Sequence, residues 1–427
     1  MTRTLYLHVG SPKSGTTYLQ RILDANREVL ARGGVLVVGD AQVDRVQAAL
    51  QLRQDPRWEK LPEDRRDMWG TLVAEIRDWK GDAAVLSYEL FSAASAEQAR
   101  RALADLDGID VHLVITSRDL ARAVPSAWQE QLKFGTTKPL AEWSPSGRNR
   151  EWSWRTLDPS SVAKRWGATL APDHVHVVTV PSQPTTDSEL WDRFAEACAL
   201  TGLEVDLAVP RVNESLGVVQ AELLRRVNGH LRPPIEGSRE RAVWLRDTLA
   251  HGVLAGGDAE PIGLTEEQLS EASQRAESAI AAVERAGYLV HGDLADLRPA
   301  QREARLPSDV SDEDVLDAAL ETIVELLLLV RERTRHGRAR REPAGATGPR
   351  ALGRRLVERA TAPYVGRRER ELSERIEALE AEVARERALH LRVASLQNVV
   401  AELLLPADLR DGELTAKALR TYRRSIR

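Results

Sequence analysis

Leu5-Tyr6-Leu7-His8-Val9 runs straight into Gly10-Ser11-Pro12-Lys13-Ser14-Gly15-Thr16-Thr17-Tyr18-Leu19. The first five residues read as a buried strand, and Thr16 to Leu30 carries a helical pattern. A glycine-containing turn between a strand and a helix is the setting an anion-binding loop requires. Gly10 and Gly15 let the backbone pass close to a ligand, and the amides of Gly15, Thr16 and Thr17 fall in a first helical turn that has no intrahelical acceptors. Lys13 adds a mobile charge, and the threonine hydroxyls add donors. In the nucleoside-triphosphate loop a lysine directly follows the last glycine, and a hydroxyl residue for magnesium comes next. Here Thr16 follows Gly15 and the lysine stands inside the loop. That order suits a ligand whose charge is met early, and no metal is expected at this loop.

Outward from the loop the chain alternates. Val35–Val38, Ala83–Ser87, Val111–Thr116 and Val175–Val180 read as strands. Helical stretches lie at Val43–Leu52, Arg66–Trp79, Ala96–Leu106, Leu120–Leu132 and Ser188–Leu200. Short continuous apolar strands separated by helices predict an α/β fold with a parallel sheet covered on both faces. After Pro210 no further strand is read. Val218–Val227, Arg239–Leu249, Glu266–Ala286 and Val310–Arg333 read as helices, the last with Ser308 or Ser311 as N-cap.

The charge pattern then changes. Arg331 to Arg341 is arginine-rich and Pro343 to Pro349 is rich in Pro, Gly and Ala. The stretch reads as a basic, flexible linker over 336–365, after a helix at 306–335. Leu372, Ile376, Leu379 and Val383, then Leu389, Val393, Leu396, Val400 and Leu403, follow heptad spacing with a register break. Residues 366–405 therefore read as a coiled-coil helix, able to pair two chains or to brace one, with a basic tail at 406–427. The whole chain has 427 residues and a net charge of −5, so its bulk charge does not point to nucleic acid. Its most apolar run, Leu326–Val330, is short and bounded by Glu325 and Arg331, which excludes a bilayer span. One cysteine, Cys198, precludes an intrachain disulfide and a Cys-rich metal site. With no targeting segment at the start, a reducing cytoplasm is the expected compartment.

At Pro12-Lys13-Ser14-Gly15-Thr16-Thr17-x-Leu19 the sequence resembles the family of sulfotransferases that use 3′-phosphoadenosine 5′-phosphosulfate. The resemblance implies a P-loop-like sheet over 1–305 with that nucleotide as co-substrate. Lys13 is then placed on the bridging oxygen, and the loop from Ser11 through Pro12 and Ser14 to Gly15, Thr16 and Thr17 on the 5′-phosphosulfate. The family also has a strand ending in arginine, with a serine on the following helix, for the 3′-phosphate. Arg118 and Ser126 match that spacing, with Pro125 expected to kink the helix or mark its start. Pairing of Arg118 with Asp119 is the plain alternative. Asn213-Glu214-Ser215-Leu216-Gly217 resembles a segment of bacterial members and would close over the nucleotide, though turn chemistry accounts for it equally.

Sulfonyl transfer needs a base for the incoming hydroxyl or amine. Glu89, after Ala83–Leu86 at the carboxyl edge, is the leading candidate, with a salt-bridged glutamate the alternative. His8 is the second, against its reading as a core histidine. His112 opens its strand away from that edge and is set aside. Gln129, Glu130 and Lys133 share a helix with Ser126, next to the acceptor cleft. Trp128, Trp143, Trp152, Trp154 and Trp166 read as core rather than as a sugar-stacking surface. A glutamate base resembles the carbohydrate-modifying members, so the implied acceptor is a carbohydrate or glycolipid. Two rivals are a nucleotide kinase, which needs a lysine after Gly15, and a coiled-coil scaffold without chemistry.

Overall fold

The structure, a computed structural model, describes residues 3–339 except 147–150, 210–214, 234, 236, 256–259 and 301. The coiled-coil segment, the basic tail and most of the linker read from the sequence lie outside those residues. The chain divides into two units, Met1–Thr334 and Arg335–Arg427. Residues 306–334 fall in the first of these units.

Six strands, β1 (Thr4–His8), β2 (Val35–Val37), β3 (Ala83–Ser87), β4 (Asp110–Ser117), β5 (Val175–Thr179) and β6 (Leu289–His291), form one sheet in the order β2-β3-β1-β4-β5-β6. Every pairing is parallel. Between β1 and β5 lie helices α1 (Thr16–Ala25), α2 (Arg27–Arg32), α3 (Gln42–Leu52), α4 (Met68–Asp78), α5 (Ala96–Ala104), α6 (Leu120–Leu132), α7 (Trp154–Leu157) and α8 (Pro159–Trp166). After β5 come α9 (Glu189–Ala197), α10 (Val218–Asn228), α11 (Ser238–Glu240), α12 (Glu266–Ala286) and α13 (Asp312–Ala339).

The strands are apolar on both sides because both sides are covered. Leu5, Leu7, Leu86, Leu113 and Ile115 face α3, α4, α5 and α8 through Ala48, Leu72, Ile76, Ala102 and Trp166. Tyr6, Val85, Val114 and Val178, one residue out of step, face α1, α2 and α9 through Leu19, Ile22, Leu30 and Phe194. A second core gathers α6, α10 and α12 with the start of α13, around Val124, Trp128, Leu224 and Ala276. Trp128, Trp143, Trp154 and Trp166 are buried, in keeping with their reading as core.

Four expectations need correction. A strand does follow Pro210: β6 pairs with β5 from His176↔Leu289 to Val178↔His291. The helix expected from Thr16 to Leu30 breaks at Asn26, whose amide donates to the Ile22 and Asp206 carbonyls and whose oxygen accepts from the Asp206 amide. The helix expected over Arg239–Leu249 winds more widely, with i→i+5 bonding from Arg241 to Leu254. Of the two N-caps offered for the last helix, Ser311 is used: its hydroxyl accepts from the Asp314 amide at 3.1 Å. That helix continues to Ala339, past the linker start read at 336. Leu316, Leu320, Ile323, Leu327 and Val330 on it are 54 to 63% exposed, at the 4-3-4-3 spacing of a heptad seam. No helix among the described residues is long and apolar enough to cross a membrane.

Candidate active site at the carboxyl edge of the sheet

β1 and β4 are neighbours, and the connection after β1 runs to β2 on one side while that after β4 runs to β5 on the other, so the two leave their carboxyl ends in opposite directions. Such a reversal opens a crevice where ligands bind. The loop Gly10–Gly15 sits there. Val9 and Ser11 continue the ladder onto Val114 and Thr116 of β4, by amide-to-carbonyl bonds of 3.0 and 2.9 Å. The backbone then turns through three positive φ angles, 58° at Gly10, 65° at Lys13 and 80° at Gly15. A Cβ on Gly10 would lie 2.9 Å from Thr16 Cγ2 and 3.4 Å from Glu89 Cβ, so only glycine lets the loop pass between them. Gly15 caps α1 without any side-chain acceptor for the first-turn amides. Those amides stay available to an anion.

Beneath the loop runs a buried polar chain. The Ser14 hydroxyl donates to the Ser11 carbonyl at 2.5 Å and meets Thr116 Oγ1 at 2.6 Å. Thr116 Oγ1 meets His8 Nε2 at 3.0 Å, and His8 Nδ1 meets Ser87 Oγ at 2.7 Å. Once Ser14 spends its proton on Ser11, the order is fixed: Thr116 donates to Ser14, His8 Nε2–H to Thr116, and Ser87 to His8 Nδ1. His8 is fully buried, and burial pushes it down to about 3, so it is neutral with both nitrogens engaged. Both features favour the reading of His8 as a core histidine. It is a tie across β3, β1 and β4 that fixes the loop.

Lys13 Nζ donates to Glu130 Oε1 at 3.0 Å, and Lys133 Nζ reaches the same oxygen at 2.9 Å. Burial would raise the Glu130 carboxyl, but the Lys13 and Lys133 charges outweigh it and hold the group down at about 2. Glu89 opens a short helical turn after β3 and accepts from Gln20 Nε2 at 2.9 Å. It is therefore held by a neutral amide of α1.

Arg118 stands just past β4 and donates Nη1–H to the Lys13 carbonyl at 3.0 Å. It is not spent on Asp119, whose carboxylate accepts from the amides of Ala121, Arg122 and Ala300. Burial, then the charges of Arg122 and Arg302, push the Arg118 guanidinium down to about 10, with Asp119 opposing. Crowded cations of this kind gain from an anion between them. Four buried polar atoms around the loop have no partner: Ser11 Oγ, Ser117 Oγ, Arg118 Nε and Arg122 Nε. Beside them a cavity of about 570 Å3 is lined by Asp119, Arg122, Ile262, Leu264, Leu269 and Arg302.

α6 supplies much of this, so Pro125 does not mark its start; the helix begins at Leu120 under the Asp119 cap and runs through the proline. Ser126 lies one turn beyond Arg122 and donates to its carbonyl at 2.9 Å. Gln129 is taken up by the backbone of Leu216, at 2.9 and 3.3 Å, and holds residues 215–217 against the helix rather than lining a cleft. Ser215 is exposed on that segment, and Asn213 lies outside the described residues. Sequence reading passed over Arg122, Arg302 and Gln20. A signal for the first was present: Arg122, Ser126, Glu130 and Lys133 follow helical spacing along α6 and its C-cap.

Among known families, one described as a domain of unknown function (DUF6752) matches residues 372–426, which lie outside the described residues. No curated protein and no solved structure matches the chain.

Proposed function

We propose that the protein moves a sulfonyl group from 3′-phosphoadenosine 5′-phosphosulfate to a hydroxyl or amine acceptor, with carbohydrate or glycolipid as the acceptor class. The observation that carries this reading is the bond from Arg118 to the Lys13 carbonyl. It joins the loop after β1 to the end of β4, so a phosphate loop and an arginine cluster share one crevice. A nucleotide with anionic groups at both ends fits that arrangement. The unpartnered Ser11 hydroxyl and the Nε atoms of Arg118 and Arg122 are the donors such a ligand would satisfy.

In this reading the first-turn amides of α1 take the 5′-phosphate, and Arg118, with Arg122 and Ser126 nearby, takes the 3′-phosphate. The acceptor oxygen or nitrogen forms its bond to sulfur as the bond from sulfur to the bridging oxygen breaks. The electron pair stays on that oxygen, which Lys13 neutralises. Lys13 can turn from Glu130 to the donor because Lys133 remains on Glu130. The acceptor's proton passes to Glu89, whose Oε1 is left for it while Gln20 holds Oε2. The family's P-loop-like fold, a cytoplasmic setting and a homodimer joined through 366–405 belong to the same proposal.

Calorimetry with 3′-phosphoadenosine 5′-phosphate, ADP and ATP tests it. The 3′-phosphate should add about 1.5–3 kcal/mol for each charged hydrogen bond it makes. Equal affinity for 3′-phosphoadenosine 5′-phosphate and ADP rejects the reading. Preference for magnesium–ATP would favour a kinase, and binding of no nucleotide a scaffold. Labelled donor offered to glycan and lipid panels then identifies the acceptor.

A further inference from the structure

The chain has nine histidines, and four of them stand together at the far end of the sheet. His112 is the third residue of β4, His174 immediately precedes β5, His176 is its second residue, and His291 closes β6. His112, His176 and His291 keep the two-residue period of Tyr6, Val114 and Val178, so they share one face. They form a row: His112 Nδ1 lies 2.8 Å from His176 Nε2, and His176 Nδ1 lies 3.0 Å from His291 Nε2. A carboxylate stands at each end, Asp110 Oδ2 at 3.4 Å from His112 Nε2 and Glu196 Oε2 at 3.5 Å from His291 Nδ1.

Protons can be counted along this row. Three neutral imidazoles carry three N–H groups, one each, enough for the two ring-to-ring contacts and the one to Asp110, while His291 Nδ1 is buried without a hydrogen-bond partner. His174 is the residue that runs short. Its Nε2 lies 2.8 Å from Asp110 Oδ1 and its Nδ1 lies 3.0 Å from Asp173 Oδ1, so it meets a carboxylate on each side with one proton to share. A cation is therefore missing between His174 and the two carboxylates, and it can be placed at Asp110.

We propose that Asp110, His112 and His174 bind a divalent transition metal, Zn2+, through one carboxylate oxygen and two Nε2 nitrogens. Their donor atoms all lie within 4.8 Å of one another. Bonds of about 2.0–2.1 Å to a tetrahedral zinc set its ligand atoms about 3.3 Å apart, so small side-chain movements close the site. One dication would meet the Asp110 carboxylate and both Nε2 lone pairs at once. The outer contacts suit such a centre. With Nε2 on the metal, His174 Nδ1–H would donate to the Asp173 carboxylate and His112 Nδ1–H to His176, which fixes both Nε2 lone pairs toward the ion. A groove of about 470 Å3, lined by Asp110 and His174 together with Arg100, Leu103, Thr169 and Leu170, adjoins the cluster at Asp110 and His174. The site lies at the amino end of β4, not at the carboxyl edge that carries the loop, and it stands or falls independently of the proposed transfer activity.

The test uses the full chain without a polyhistidine tag, stripped with chelator and titrated with Zn2+ by calorimetry. About one equivalent should bind and raise the melting temperature. His174→Ala, at a half-buried loop position, should abolish that event, and so should Asp110→Asn, at an exposed strand end. Asp173→Asn should weaken it about 10- to 100-fold. Co2+ in place of Zn2+ should give the visible absorption of a tetrahedral site in the wild type and not in His174→Ala. Absence of Zn2+ uptake by the wild type overturns the proposal, and so does uptake of unchanged stoichiometry and affinity in whichever of the two variants folds.

Discussion

Lys13 is held twice in a posture it would not choose alone. Its φ of 65° is in the left-handed region, at a cost of about 1 kcal/mol or more, and its ammonium sits on the buried Glu130. Both are explained if the loop is shaped for a ligand. Lys13→Ala should then lower transfer by about two to three orders of magnitude while the melting temperature stays near wild type; near-normal turnover would end the mechanism. Glu130 behaves differently. Its carboxyl, held at about 2, lies below its ordinary 4.5, so the folded chain binds fewer protons than the unfolded chain between those values. The stability it lends is complete above that window and is lost as the pH falls through it. Glu130→Gln leaves Lys133 buried without its carboxylate and should cost about 3 kcal/mol near neutral pH. Urea midpoints across the acidic window should also flatten in that variant. Glu89→Gln should keep nucleotide affinity and lose about two to four orders of magnitude in rate. His8→Gln, by contrast, breaks the tie under the loop and should appear in stability, by about 1–3 kcal/mol. A folded but inactive His8→Gln beside an active Glu89→Gln would reverse the two roles. The loop itself was legible in the sequence because its residues are contiguous. The Lys13–Glu130 pair was not, since nothing local links a loop to the middle of a distant helix.

Among the elements, the central strands were legible for a physical reason: strands covered on both faces become unbroken apolar runs. β6 has only Leu289-Val290-His291, with Leu289 41% exposed, and too few residues to show a period. The break between α1 and α2 was equally hidden. A single Asn26 makes it, and its reason lies far along the chain, where Asp206 offers both an amide and a carbonyl. Asn26→Ala leaves that backbone pair unsatisfied and should lower stability by about 1–3 kcal/mol in chemical denaturation. An unchanged midpoint would mean that propensity alone sets the break. Pro125 is the opposite case: the sequence warns of an interruption, and α6 continues through it.

For the molecule as a whole, the proposed homodimer rests on heptads at 372–403. Ending the chain after residue 365 should give a monomer by light scattering that still binds nucleotide. An unchanged mass would move the contact to α13, whose apolar seam at Leu316, Leu320, Ile323, Leu327 and Val330 is retained in that truncation. The sheet's last strand carries another consequence. β5 ends at Thr179, yet its neighbour β6 begins at Leu289, after α9 to α12 have been laid down. During synthesis the ribosome must therefore pass residue 291 before the sheet can close on that side, and until then β5 presents an open row of backbone donors and acceptors. Loops this long close slowly, so the docking of β6 belongs late in folding, and the histidine row that needs His291 would be among the last features to form.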